Sequence, residues 1–166
     1  TKDIPSQDVN TSEPNRLFRY RKTVSENSPL FIDMTNFLLT NYHSGILVYT
    51  RFLDAQKTLY NFLINKGIRC EMINSETSIQ NRLSISNKVK TGNVDIVITT
   101  LTTAIDIPMN CVATWGWCSD IVQLVGRLNR EYKKKDITIY LQLLEFEVEL
   151  LEKHLDSLTE LAIITD

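Results

Sequence analysis

Gly45-Ile46-Leu47-Val48-Tyr49-Thr50-Arg51 is the stretch on which the fold turns. A short unbroken run of apolar, β-favouring residues follows a glycine and ends at a hydroxyl and a cation. A strand with one wet face alternates apolar and polar residues, whereas an unbroken run suits a strand covered on both faces. The period then changes. Phe52, Ala55, Leu59, Phe62 and Leu63 recur at helical spacing, predicting a helix over residues 52–66. Gly67 follows, in the position where helices commonly stop. A doubly buried strand feeding a helix predicts a mostly parallel sheet with helical crossovers.

The same rhythm continues in both directions. Residues 69–73 predict a second strand. Residues 77–90 predict a helix with Ile79, Leu83 and Val89 inward and Gly92 beyond its end. Residues 95–98 and 111–114 predict a third and a fourth strand. Residues 119–130 predict a helix with Ser119 as N-cap. Residues 137–141 predict a fifth strand, and residues 145–161 one long amphipathic helix through Val148, Leu151, Leu155 and Leu158. Upstream, Phe31, Met34, Phe37 and Leu38 predict a helix over residues 29–42. Residues 1–28 begin with Pro5 and Pro14 among Ser, Asn, Asp and Glu, and are expected to form a polar linker or N-terminal arm. Residues 29–166 are expected to form one α/β domain of three layers, a mostly parallel sheet flanked by helices.

Bulk properties narrow the function classes. The chain has 166 residues, 43% hydrophobic and 23% charged, which suits one globular domain with a sizeable core. The formal net charge of −2 offers no global field for nucleic acid, so any such binding must come from a local patch. Arg16, Arg19, Arg21 and Lys22 cluster, as do Lys133, Lys134 and Lys135; both clusters read as solvated turns or as such patches. Cys70, Cys111 and Cys118 are odd in number and form no C-x-x-C pair, which argues against a zinc ribbon or a redox motif. No apolar run approaches the ~20 residues of a membrane span, and the N-terminus lacks a secretory pattern. The expectation is an intracellular protein without a membrane partner.

Ligands of parallel α/β sheets gather beyond the carboxyl ends of the strands. One helix nearby carries most of the chemical signal: Gln123-Leu-Val-Gly126-Arg127-Leu-Asn-Arg130. At about 100° per residue, Gln123, Gly126, Arg127 and Arg130 share one sector. Ile121, Val122, Leu124, Val125 and Leu128 fill the other and can pack on the sheet. Two guanidiniums and an amide then project together, and Gly126 leaves room for another surface to approach. Arginine matches phosphate oxygens in charge and geometry, and paired arginines can neutralise a transferring phosphoryl group. The bland alternative is a surface helix whose arginines pair with acidic neighbours.

Gln123-x-x-Gly126-Arg127-x-x-Arg130 resembles motif VI of superfamily 2 helicases, Q-x-x-G-R-x-x-R. The likeness extends upstream in order. Residues 46–51 resemble motif IV. Ile98-Thr99-Thr100-Leu-Thr-Thr-Ala104-Ile105-Asp106-Ile107-Pro108 resembles motif V, with Ala104 where the family usually has glycine. Arg82, ahead of Val89-Lys90-Thr91-Gly92, resembles the family's R-x-x-x-x-x-x-F-x-x-G stretch. The likeness covers roughly residues 45–142 and implies the C-terminal RecA-like domain of such a helicase or translocase.

By that resemblance, Arg130 would be an arginine finger directed at the ATP γ-phosphate, with Arg127 supporting it and Gln123 sensing the nucleotide. Asp106 would contact the ribose or orient the finger; its alternative is a turn carboxylate. Thr50, Arg51, Thr99 and Thr100 would hold phosphates of a tracked strand, their alternative being simple strand-end capping. No G-x-x-x-x-G-K-[ST] is present, so the phosphate cradle and the Mg²⁺ ligands are expected from a first RecA-like domain, and this chain alone is expected not to hydrolyse ATP. The nucleic-acid partner, single-stranded or duplex, is expected to be DNA rather than RNA, on the likeness of the motif V stretch to repair and recombination translocases. Trp115 and Trp117 could stack on a base or pack against the fold. The competing function is a degenerate RecA-like module that binds nucleic acid or protein without enzymatic work. An unrelated nucleotide-binding α/β domain is disfavoured, because no glycine-rich turn follows the first strand.

Overall fold

The computed structural model describes residues 29–102, 107–115, 118–126, 128, 138–143, 145–159 and 163–164. The elements run α1 (Pro29–Asn41), a 3-10 turn (Tyr42–Ser44), β1 (Ile46–Thr50), α2 (Leu53–Asn65), β2 (Cys70–Ile73), α3 (Ile79–Lys90), β3 (Ile96–Thr99), β4 (Cys111–Trp115), α4 (Ile121–Gly126), β5 (Thr138–Gln142), α5 (Glu145–Glu152), α6 (Leu155–Thr159) and β6 (Ile163–Ile164). Six strands form one sheet in the order β2-β3-β1-β4-β5-β6, and every pairing is parallel. β1 therefore lies at the centre, as its unbroken apolar run demands.

Alternation along the strands splits the core in two. Ile46 and Val48 of β1 face α1 and α2, together with Phe31, Met34, Leu38, Leu59, Leu63 and Trp115. Leu47 faces the other layer, with Val97, Val112, Ile121, Leu124, Val125 and Leu158. Both faces are covered, which gives the expected three layers.

Local chemistry sets the helix ends. α2 buries Ala55, Gln56, Leu59 and Leu63. Its end is a Schellman turn: Gly67 takes φ +79°, its N–H bonds to the Ile64 carbonyl, and the Ile68 N–H reaches back to Leu63. α3 starts at Ser78, whose hydroxyl accepts the Asn81 N–H at 3.1 Å. It ends the same way, with Gly92 at φ +74° and the Asn93 N–H on the Lys88 carbonyl.

Four expectations need correction. Ile79 and Leu83 are 77% and 55% exposed rather than inward; Ile85, Ser86 and Val89 form the inner stripe of α3. The predicted long last helix is two helices separated by a turn at Lys153 and His154, and Val148 is exposed. The first helical bond near α4 runs from the Leu124 N–H to the Asp120 carbonyl, so Asp120 rather than Ser119 occupies the cap position. α4 ends at Gly126, and the Leu128 N–H makes a tighter bond to the Val125 carbonyl. β6 had no counterpart in the sequence reading.

Candidate functional site

The register lines up two ranks of residues at the carboxyl edge. Ile73, Thr99, Tyr49, Thr114 and Leu141 form one rank across five strands. Neighbours in a parallel register share a face, so Thr99 and Thr114 flank Tyr49 on the α3–α4 side. Thr50, Trp115 and Gln142 form the next rank, on the α1–α2 side.

Among the predicted strand-contacting residues, Thr50 is 2% exposed at the end of β1, and Arg51 is exposed just beyond it with its guanidinium 5.8 Å from the Phe52 ring centroid. The Thr99 hydroxyl accepts the Leu101 N–H at 2.9 Å and donates to the Leu101 carbonyl at 3.1 Å. The Thr100 N–H donates to the Ile73 carbonyl at 3.2 Å. The side chains of Thr50 and Thr99 are thus built into the edge, while Arg51 is exposed and Thr100 is half-buried. The next hydroxyl, Thr102, reaches the Asp120 carboxylate at 3.4 Å, joining the loop after β3 to the start of α4.

α4 divides as the sequence predicts. Ile121, Leu124, Val125 and Leu128 are at most 1% exposed, and Gln123 is exposed on the opposite side. A Cβ added at Gly126 would meet nothing within 4 Å among the described residues. Arg127, Arg130 and Asp106 lie outside the described residues, as do Ala104, Trp117 and both basic clusters. Trp115 is described and packs rather than stacks on a ligand: it is 4% exposed and meets Phe31 edge-on at 5.6 Å.

Cys118, on the loop between β4 and α4, is buried in the core that includes Leu47 of β1 and the underside of α4. Burial pushes the Tyr49 hydroxyl up to about 12, with the Cys118 thiol beside it and Asp120 adding to the rise. Burial likewise pushes the Cys118 thiol up to about 12 and that of Cys111 to about 11. All three cysteines are buried and free, acting as small apolar residues. Among the described residues, no group of three His, Cys, Asp or Glu side chains is placed to hold a metal, and no helix is long and apolar enough to cross a membrane.

The sequence reading missed Gln56. It lies three residues before Leu59 and seven before Leu63, on the buried stripe of α2, and that spacing was the available signal. Its amide is fully buried and bonded to the ends of β2 and β3.

The model of the family described as helicase conserved C-terminal domain matches residues 30–132. Solved structures share the fold at low identity. The C-terminal part of the Fun30 ATPase domain aligns with a TM-score of 0.64 at 17% identity, over 84% of this chain and 50% of that one. The Sulfolobus solfataricus SWI2/SNF2 ATPase core in complex with dsDNA aligns with a TM-score of 0.64 at 17% identity, over 89% of this chain and 36% of that one. Domain 2 of the DEAD-box helicase Mss116p, bound to an RNA duplex, aligns with a TM-score of 0.57 at 12% identity, over 82% and 57%. This chain therefore spans about half the length of the Fun30 chain and about a third of the SWI2/SNF2 core. No curated protein matches it.

Proposed function

The chain belongs to the helicase conserved C-terminal domain family, whose structural neighbours are RecA-like C-terminal domains of superfamily 2 enzymes, and from that premise we propose that it is the second motor domain of an ATP-dependent helicase or translocase. In this reading Arg130 acts as the arginine finger and Arg127 supports it. Gln123, and Asp106 from the loop after β3, face the nucleotide, and Gly126 admits the partner surface. The observation that carries the proposal is the arrangement of α4. Its apolar underside is buried in the core shared with the sheet while Gln123 is exposed on the opposite side. A rigid support is what pre-organised charge stabilisation requires.

ATP supplies the phosphoryl group whose charge the arginines neutralise, and Mg²⁺ would be held by the first RecA-like domain. What this chain contributes is position. The loops after β3 and β4 meet through Thr102 and Asp120, so movement at α4 reaches the Thr99–Thr100 segment through few contacts. Arg51, Thr50, Thr99 and Thr100 then line the track for nucleic-acid phosphates, with DNA the favoured strand. With Thr50 and Thr99 buried at their side chains and the Thr100 N–H bonded to the Ile73 carbonyl, the contacts fall chiefly to Arg51 and the Thr100 side chain. Such contacts ignore base sequence, which suits a motor.

The experiment is Arg130→Ala in the full-length protein. Nucleic-acid-stimulated ATPase should fall on the order of 10³-fold with unchanged folding; near-normal turnover would remove the finger assignment. The isolated chain should show no ATPase, and metal-dependent hydrolysis by it would contradict the shared site.

A further inference from the structure

Gln56 is an amide sealed away from water. Burying an amide is costly unless it is hydrogen-bonded, and an apolar residue of similar shape would fill the same stripe of α2. What the amide adds is a set of directed bonds. Nε2 donates to the Ile73 carbonyl at 3.0 Å and the Ile98 carbonyl at 2.8 Å. Oε1 accepts from Asn74 Nδ2 at 3.1 Å. The two carbonyls belong to adjacent strands, β2 and β3, at the carboxyl edge. The Ile73 carbonyl also receives the Thr100 N–H. Asn74 carries the network onward, its Oδ1 accepting the Glu76 N–H at 2.9 Å and its carbonyl accepting from Arg82 at 3.2 Å. Satisfied buried networks of this kind rigidify the backbone they join.

We propose that Gln56 is a positioning residue for the nucleic-acid track: by bonding both strand ends from beneath, it fixes where Thr99 and Thr100 stand, without touching the nucleic acid. The proposal rests on the motor reading and deepens it. The bonds lie at the ends of β2 and β3, whereas α4 follows β4 in the chain and makes none of them. Loosening Gln56 therefore weakens strand capture more than turnover.

The test uses the full-length protein with Gln56→Met, which keeps the length and removes the donors, beside Arg130→Ala. Amide hydrogen exchange is followed by mass spectrometry over residues 99–102, and ATPase is titrated with a homopolymeric single strand. The expected result is faster exchange at Thr100 and a polynucleotide concentration for half-maximal stimulation raised about 10-fold, with saturated turnover changed about twofold or less. Asn74→Ser, which removes the Nδ2 donor to Oε1 and leaves a hydroxyl in place of Oδ1 to accept the Glu76 N–H, should shift the half-maximal concentration about threefold in the same direction, and it serves as the readout if Gln56→Met does not fold. Unchanged exchange at Thr100 would overturn the clamp. Faster exchange with an unmoved half-maximal concentration would overturn its role in the track. A fall in saturated turnover alone would assign Gln56 a general structural role and overturn the proposal. Undiminished ATPase in Arg130→Ala would remove the finger assignment alone, whereas a full-length protein with no nucleic-acid-stimulated ATPase at all would remove the motor reading, and this proposal with it, whatever Gln56→Met does.

Discussion

Thr99 and Thr114 stand in the same rank, on the same face, one on each side of Tyr49, and their hydroxyls have opposite circumstances. Thr99 makes two bonds to Leu101. The Thr114 hydroxyl is buried with no partner among the described residues, and so is the indole N–H of Trp115 next to it. The end of β3 is held by hydrogen bonds, with Gln56 adding one more from below at Ile98 and another to the neighbouring β2 end at Ile73. The end of β4 is held by packing: Trp115 against Phe31, and Phe31 against Phe62 at 5.3 Å. One sheet edge thus uses two methods of fixation, directional where backbone must be placed and non-directional where a helix must be supported.

Substitutions can break this contrast or sharpen it. The largest effect is expected from Phe31→Ala, which removes the ring that both Trp115 and Phe62 contact. About 3–5 kcal/mol of stability should be lost in urea denaturation; a loss under about 1 kcal/mol would mean that packing does not hold the β4 end.

The next effect is on pH dependence. Cys118 and Tyr49 have folded values raised above their unfolded ones, to about 12 each. The folded state therefore retains protons that the unfolded state gives up. Their contribution is fully present below about pH 9 and is lost as pH rises from 9 towards 12. By pH 11 the loss attributable to Cys118 should be on the order of 2–3 kcal/mol, and Cys118→Ala should flatten that part of the curve. An unchanged slope in Cys118→Ala would show that the region beside β4 is wetter than its burial implies.

Thr99→Val strands the Leu101 N–H and should cost about 1–3 kcal/mol, whereas Thr114→Val removes a hydroxyl with no partner among the described residues and should be neutral or stabilising by up to about 1 kcal/mol. Equal costs at the two threonines would erase the comparison. The smallest stability change is expected at Gly126→Ala, within about 1 kcal/mol and of stabilising sign, because alanine favours the helix and its Cβ meets nothing within 4 Å among the described residues. The same variant should lower ATPase in the full-length protein if another domain packs against that helix end; unchanged activity would mean that no surface comes close.

The sheet was legible because buried parallel strands announce themselves: residues 46–49, 69–73, 95–98 and 111–114 each fell within one residue of a strand. Gly67 and Gly92 marked helix ends correctly, since the turn chemistry is local. Apolar spacing misled at α3. Ile79 and Leu83 have the right spacing, but the inner face carries Ile85 and Val89 together with Ser86 and the partly buried Arg82, and only the sheet decides which stripe turns inward. The break at Lys153 and His154 has no glycine or proline to signal it. Gln123 and the underside of α4 followed from a helical wheel. Gln56 did not, because its partners lie 17 and 42 positions away, and no local pattern reveals which carbonyls a buried amide will meet.

The attachment of α1 has a consequence for how the chain is made. Its first turn offers the Leu30 carbonyl to Gln142 at 2.6 Å, across 112 residues, and its Phe37 ring stacks on Tyr140 at 3.9 Å. This helix is synthesised about a hundred residues before the fifth strand that completes its anchorage. Long-range closures of this kind slow folding. A nascent or truncated chain ending before Tyr140 would leave the aromatic side of α1 uncovered, which makes that stage of biosynthesis the natural point for a chaperone to hold it.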